Sequence, residues 1–264
     1  MRAAPVRVYI EGIGVWSPGL EDWARTSAVL RGEAPFKPEA VPLPSPAVLP
    51  AAERRRSPAT ARIAVQVASE ACGHAGNDAS LLPSVFASSH GDTEISDYLC
   101  RELAGNAPLS PTKFHNSVHN AASGYWTIAV GCMQSATALS GGDESFAYGL
   151  LEAGLQAVGS SRPVLLVAYD HAAPAPLSSV CSISRTFGVA FVLSPVVTPH
   201  SIALVELRDP DQRARDAVML APELLSLHSG NPAARALPLL SCLAAARAAT
   251  LSVSPLCLEI TPCR

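Results

Sequence analysis

The chain has 264 residues, 48% of them hydrophobic and 16% charged, with a formal net charge of −3. Such a chain buries a large core rather than staying disordered, and its length suits one domain with decorations. The lack of a basic excess argues against nucleic acid as a partner, and the scarcity of surface charge predicts an apolar patch covered by a partner.

The start, MRAAPVRVYIEGIG, has neither the long apolar stretch nor the small-residue cleavage pattern of a signal peptide. Val6–Ile10 alternates and is β-prone, and Gly12 and Gly14 predict a tight turn after it. Gly19–Arg31 reads as a short helix and the Pro-rich stretch 35–50 as an irregular loop. Arg54–Arg56 form a short basic run before the next helix. Ser57 and Pro58 are placed as its N-cap and first-turn proline. The apolar stripe Ile63, Ala64, Val67, Ala68 and Ala71 carries that helix to about Gly73.

Ser84–Ser88 is predicted as a short strand with His90, Gly91 and Asp92 behind it, followed by a helix over 94–103. Ser110 and Pro111 open a second irregular loop, and 118–130 reads as a helix rich in small residues. Gln134–Leu139 reads as a strand that ends in Ser140, Gly141 and Gly142. Asp143 is placed as the cap of a helix reaching about Val158, since a carboxylate suits a helix N-terminus. Val164–Ala168 has the continuous apolar run of a buried parallel strand. Strands over 186–193 and 201–207 complete an alternating α/β pattern, which predicts layered α/β architecture. The late apolar stretch 236–253 is broken by Pro238 and Arg247 and is too short for a membrane span.

Seven cysteines, an odd number without a CxxC pair, fit neither a disulfide framework nor a zinc site and read as thiols of a cytoplasmic protein. His115 and His119 are four apart, but no third ligand is evident, so no metal and no cofactor is predicted.

VYIEGIGVWSPG resembles the first strand of the β-ketoacyl synthases, an apolar strand followed by G-x-G-x-x-S-P. The segment SPTKFHNSVHNAASGYWTIAVG is similar to that family's central stretch through Ser110, Pro111, Asn120, Gly124, Thr127, Ile128 and Gly131. The likeness spans roughly 6–207 and is strongest over 110–170. It implies a thiolase-like fold, a layered α/β/α half-fold with a central mixed sheet. Residues 1–264 are expected to form a single such domain, with 208–264 a divergent tail packed on it.

In the family a nucleophilic cysteine stands at the turn between a buried strand and a helix. Carried over without a gap, that position falls on Asp143; a one-gap alternative places it on Leu139, and neither side chain forms a thioester. The family's two histidine motifs are absent. LSLHSGNPAARALPLLSCLAAA vaguely resembles the first of them through His228, Ala233 and Ala234, and His228 is read as an exposed loop histidine.

The resemblance therefore implies a non-catalytic, chain-length-factor-like subunit, most similar to the small type encoded with aryl polyene synthesis. Its implied partners are an active β-ketoacyl synthase, in a heterodimer, and an acyl carrier protein, met directly or through that synthase, in type II fatty acid or polyketide biosynthesis. Gln134, Ser135, Ala136, Thr137, Ala138 and Leu139 would form the dimer-interface strand, whose small side chains allow close approach. Lys113, Phe114, Tyr125 and Trp126 would line the acyl tunnel, with Phe114 or Trp126 as its stop, or else serve as core aromatics. Arg54–Arg56 form either an acidic-carrier docking surface or a solvated helix approach.

Two other readings stay open. One is a small acyltransferase or hydrolase with Ser140, Cys132 or Asp143 as nucleophile and His90 or His119 as base, without a GxSxG motif in support. The other is a free-standing module that binds a carrier protein or a lipid.

Overall fold

The computed structural model describes residues 4–39, 41–181, 183–209 and 220–263. Met1–Ala3 of the opening segment, Ala40 of the Pro-rich stretch and residues 210–219 of the predicted tail thus lie outside the described residues.

In chain order, the strands are β1 (Val6–Trp16), β2 (Ser84–Ala87), β3 (Ala136–Leu139), β4 (Val164–Asp170), β5 (Phe187–Ser194), β6 (Ala203–Arg208), β7 (Ala249–Val253) and β8 (Leu256–Pro262). The helices are α1 (Trp23–Leu30), α2 (Ala51–Arg56), α3 (Ala59–Ala75), α4 (Thr93–Ala104), α5 (Pro111–His115), α6 (Ala121–Val130), α7 (Ser145–Ser160), α8 (Pro222–Ser229) and α9 (Leu237–Ala244). Among the described residues the eight strands form one mixed sheet in the order β3-β2-β4-β5-β1-β6-β8-β7. β3, β2 and β4 run parallel, and every pairing from β4 to β7 is antiparallel.

The first strand departs from the sequence expectation. β1 does not turn at Gly12 and Gly14 but runs through them to Trp16. A bulge between Ile10 and Gly12 shifts the side-chain alternation by one residue. Val8, Ile10, Ile13 and Val15 therefore all point into one core layer. The two glycines face α3 instead, where an added Cβ would lie 2.1 Å from the carbonyl oxygens of Ala71 and Val67. These glycines are set by the close passage of a helix backbone, not by a turn.

Two cores result. One face of the sheet packs on α7, α1 and the tail helices, with Phe146, Leu150, Phe191 and Leu240 buried. The other packs on α3 and α6, with Ile63, Val67, Ala68 and Trp126 buried and Val41, Leu43 and Val48 of the Pro-rich loop laid over them. Glu70 of α3 reaches back to β1 and accepts the backbone N–H groups of Val15 and Trp23. Burial pushes its carboxyl up to about 7, against the pull of those two hydrogen bonds.

Several local expectations shift. α3 begins at Ala59, with Pro58 at its N-cap position; Ser57 instead donates to the Arg54 carbonyl at the end of α2. Arg54–Arg56 are the last residues of α2 rather than an approach to α3. Ser110–Pro111 opens the short helix α5, because the Ser110 hydroxyl accepts the N–H of Lys113. Gln134 and Ser135 precede β3, which begins only at Ala136.

The tail supplies the rest of the sheet. β8 pairs with β6 from Ala203↔Pro262 to Arg208↔Cys257, and β7 pairs with β8. α8, α9 and the intervening turn Ala233–Ala236 cover the α7 face. No helix among the described residues is long and apolar enough to cross a membrane. The described cysteines form no disulfide.

Candidate functional site

β2, β3 and β4 are parallel, so their C-terminal ends open on the same side of the sheet, where α/β folds place ligands. β3 ends at Leu139. The chain then passes through Ser140 and Gly141 and a single turn, Gly142–Glu144, into α7. The Ser140 hydroxyl donates 2.7 Å to the Ser89 carbonyl beyond β2. The Ser145 hydroxyl donates to the Gly142 carbonyl at 2.7 Å and accepts the Gly141 N–H at 3.0 Å, which closes the turn.

Asp143 does not cap α7 as its residue type predicted. It is exposed in the turn, and no side-chain cap bond is made at the helix start. Its carboxylate instead lines a cavity of about 280 Å3 with Glu144, His228, Arg235 and residues 252–254 of the β7–β8 hairpin. His228 is thus no exposed loop residue. It sits half-buried in the last turn of α8, and burial, then the charge of Arg235, holds its imidazole below the ordinary histidine range. The loose likeness of LSLHSGNPAARALP to a family histidine motif carries no weight as a signal for it, and Arg235 left none.

Asp170 ends β4 and is buried. Its Oδ1 accepts the Ser88 hydroxyl at 2.9 Å and the Ser89 N–H and hydroxyl at 2.9 and 2.8 Å. Burial outweighs these bonds and raises its carboxyl to about 6. His119 donates from Nε2 to the Ser88 carbonyl at 3.1 Å, while His90 is exposed. Cys132 lies buried on the Leu82 carbonyl, away from the turn. Among the described residues no group of three or more His, Cys, Asp or Glu is gathered for a metal ion.

A second feature is the outer edge of β3. This strand pairs with β2 on one side and is the first strand of the sheet on the other. It is flanked by exposed apolar side chains: Ile128 of α6 is 73% exposed and Met133 is 92% exposed. Gln156 of α7 donates to Thr137 at 3.0 Å and leaves the rest of the rim small. Soluble proteins rarely leave such an edge bare.

The third is a groove of about 620 Å3 between α2, α5 and α6, lined by Val118, Tyr125 and Ile128 on its apolar side and by Glu53, Arg56 and Asn116 on its polar side. The Tyr125 hydroxyl donates to Asn116 Oδ1 at 3.1 Å, and the Asn116 amide donates to the Arg56 carbonyl at 3.1 Å. Of the four predicted tunnel residues only Tyr125 lines this groove. Trp126, about 100° round α6 from Tyr125, is 1% exposed in the α3 core, so it forms no wall here. Phe114 is 62% exposed, outside the groove. Lys113 holds its ammonium 3.7 Å over the ring of Tyr98.

The family model for the β-ketoacyl synthase N-terminal domain matches residues 23–247. No curated protein matches the chain. In structure the chain is similar to a chain of the complex of ketosynthase ApeO with its chain length factor ApeC from Xenorhabdus doucetiae, with TM-score 0.72, 21% identity, and 96% of this chain and 98% of that one covered. It is similar to the ishigamide ketosynthase/chain length factor, with TM-score 0.63, 19% identity and 78% and 68% covered. It is also similar to the type II polyketide acyl-carrier protein–ketosynthase complex AntDE:AntF, with TM-score 0.58, 13% identity and 74% and 63% covered. The mixed sheet with helices on both faces is therefore the thiolase-like fold of the ketosynthases.

Proposed function

Since the chain belongs to the β-ketoacyl synthase family through its N-terminal domain, we propose that it is a non-catalytic, chain-length-factor-like subunit. It pairs with an active β-ketoacyl synthase and forms part of the wall of the acyl tunnel. The observation that carries this reading is the turn after β3. A condensing enzyme needs a cysteine there, with its thiolate favoured by the helix N-terminus. From Leu139 to Ser145 this chain has no cysteine; the nucleophile's place falls on Asp143, or on Leu139 with one gap, and neither side chain forms a thioester.

The bare rim of β3 supports the pairing, since unpaired strand amides and exposed Ile128 and Met133 are covered when a partner's strand lies alongside. The rim is the dimer interface, and the groove under Tyr125 contributes the tunnel wall beside it. The similarity to nearly the full length of a chain in the ApeO–ApeC complex supports the small, aryl polyene type, working on acyl or polyene chains of type II fatty acid or polyketide synthesis. The carrier protein present in AntDE:AntF supports delivery of those chains on an acyl carrier protein. Residues 1–264 act as a single unit, a view supported by the pairing of β8 with β6.

The test is to express the chain with and without a ketosynthase from its gene neighbourhood, then measure stoichiometry and acyl labelling. The expected result is a stable heterodimer and no acyl adduct on this chain by mass spectrometry. A monodisperse chain that takes up a stable acyl group alone would overturn the reading. That outcome would favour a small acyltransferase, for which the shared cavity of Asp143 and His228 is the supporting observation.

A further inference from the structure

Arg235 differs from the other half-buried arginines among the described residues, which are Arg25, Arg54 and Arg62. Those three donate to backbone carbonyls: Arg25 to Pro35, Arg54 to Leu49, and Arg62 to Leu43 and Pro44. The Arg235 guanidinium has no such partner among the described residues. Packing holds it in place instead, since its neighbours Ala233, Ala234 and Ala236 are buried. A guanidinium drawn partly out of water and left unpaired is costly unless something else meets it.

The cavity that Arg235 lines, of about 280 Å3, carries both signs of charge. Arg235 and His228 lie close together, and the Arg235 charge acts on the His228 imidazole. No described carboxylate acts on that imidazole. Asp143 and Glu144 enter from the turn before α7, whose shape the Ser145 hydroxyl fixes. Neither carboxylate is joined by a hydrogen bond or an ion pair to a described residue. Acid and base thus share one space without closing on each other. Ser252 and Ser254 add uncharged hydroxyls to the lining.

This charge pattern selects a class of ligand. A simple anion is repelled by the two carboxylates, and a simple organic cation by Arg235. A metal ion lacks a third ligand, because no group of three His, Cys, Asp or Glu is gathered among the described residues. A molecule with an ammonium at one end and a carboxylate at the other satisfies both sides, and the cavity admits a small one. We propose that this cavity binds a small amino acid, with its carboxylate on Arg235 and its ammonium on Asp143 and Glu144. The site stands whether or not the chain is a synthase subunit.

Titration calorimetry of the full chain at neutral pH and low salt tests this with glycine, 4-aminobutanoate and 6-aminohexanoate. Each is compared with the amine and the carboxylic acid of the same carbon count. The tightest of the three is expected to bind about tenfold or more better than both of its comparators. Arg235→Gln should bring it down to the level of the amine, whose own affinity does not fall. Asp143→Asn with Glu144→Gln should bring it down to the level of the carboxylic acid, whose own affinity does not fall. Melting curves verify that each variant is folded.

A folded wild-type chain that binds none of the three amino acids above its comparators would overturn the site, whatever the variants do. So would a folded variant that keeps wild-type affinity, or one that loses the amino acid and its comparator together.

Discussion

Asn231 ties the tail to the sheet by donating from Nδ2 to the backbone carbonyl of Asp170 at 3.0 Å. The same amide donates to the Arg185 carbonyl at 2.7 Å, and its Oδ1 accepts the Ala233 N–H at 2.8 Å. One side chain, 1% exposed, thus satisfies three backbone groups where β4, β5 and the tail meet.

Asn231→Ala is expected to destabilise the chain by about 2–4 kcal/mol, because the orphaned groups stay buried. Urea denaturation of the purified protein measures it. A loss under about 0.5 kcal/mol, the level of a surface change, would show that the tail is held by packing alone.

Stability should fall as pH rises from 5 to 8. Asp170 moves from an ordinary 3.8 to about 6, and Glu70 from 4.5 to about 7, each mainly through burial. With folded values above the unfolded ones, the folded chain holds protons that the unfolded chain releases. Their contribution is complete below the unfolded values and is lost as pH rises through about 6 and about 7. The loss is on the order of 2–3 kcal/mol per group. His228, shifted downward, acts in the opposite sense below its ordinary 6.5. Denaturant midpoints across this range check the slope, and Asp170→Asn should flatten its lower part.

Two glycines should respond in opposite directions. Gly14→Ala drives a Cβ to 2.1 Å from the Val67 carbonyl, so α3 must move off the sheet. A loss of about 3 kcal/mol or more is expected, read as a lowered melting temperature or insoluble protein. Gly124→Ala lies inside α6 with open space around it and should gain up to about 1 kcal/mol.

Ile128→Asp tests the β3 rim. The side chain is already in solvent, so the melting temperature of the chain alone should hold within a few degrees, the scale of about 0.5 kcal/mol. Co-purification with the ketosynthase should be lost, since a buried unpaired carboxylate is costly. Retained pairing at wild-type yield would move the interface away from this rim.

Much of the fold was legible because periodicity reports which side chains face the core. The runs Val164–Ala168 and Ile63–Ala71 are a buried strand and a helix stripe in both sequence and structure. Gly12 and Gly14 misled because a glycine that permits a turn and a glycine that permits close approach look alike in sequence. Trp126 stayed open in the sequence between tunnel wall and core aromatic: it neighbours Tyr125, and successive helix residues face about 100° apart, so one lines the groove and the other the core. Asp143 has the residue type of a cap, yet the Ser145 hydroxyl closes that turn. His228 and Arg235 reach the same cavity only through the path of the tail, which no local pattern encodes.

At the far border of the sheet, β7 precedes β8 in the chain yet lies outside it, with β8 as its sole strand neighbour among the described residues. It has no lane to occupy until β8 has settled on β6. This border is therefore built either in reverse of the order of synthesis or by a ready-made hairpin arriving whole. Changes at 254–255, where the hairpin bends, would then act on the rate of assembly before they act on the finished sheet.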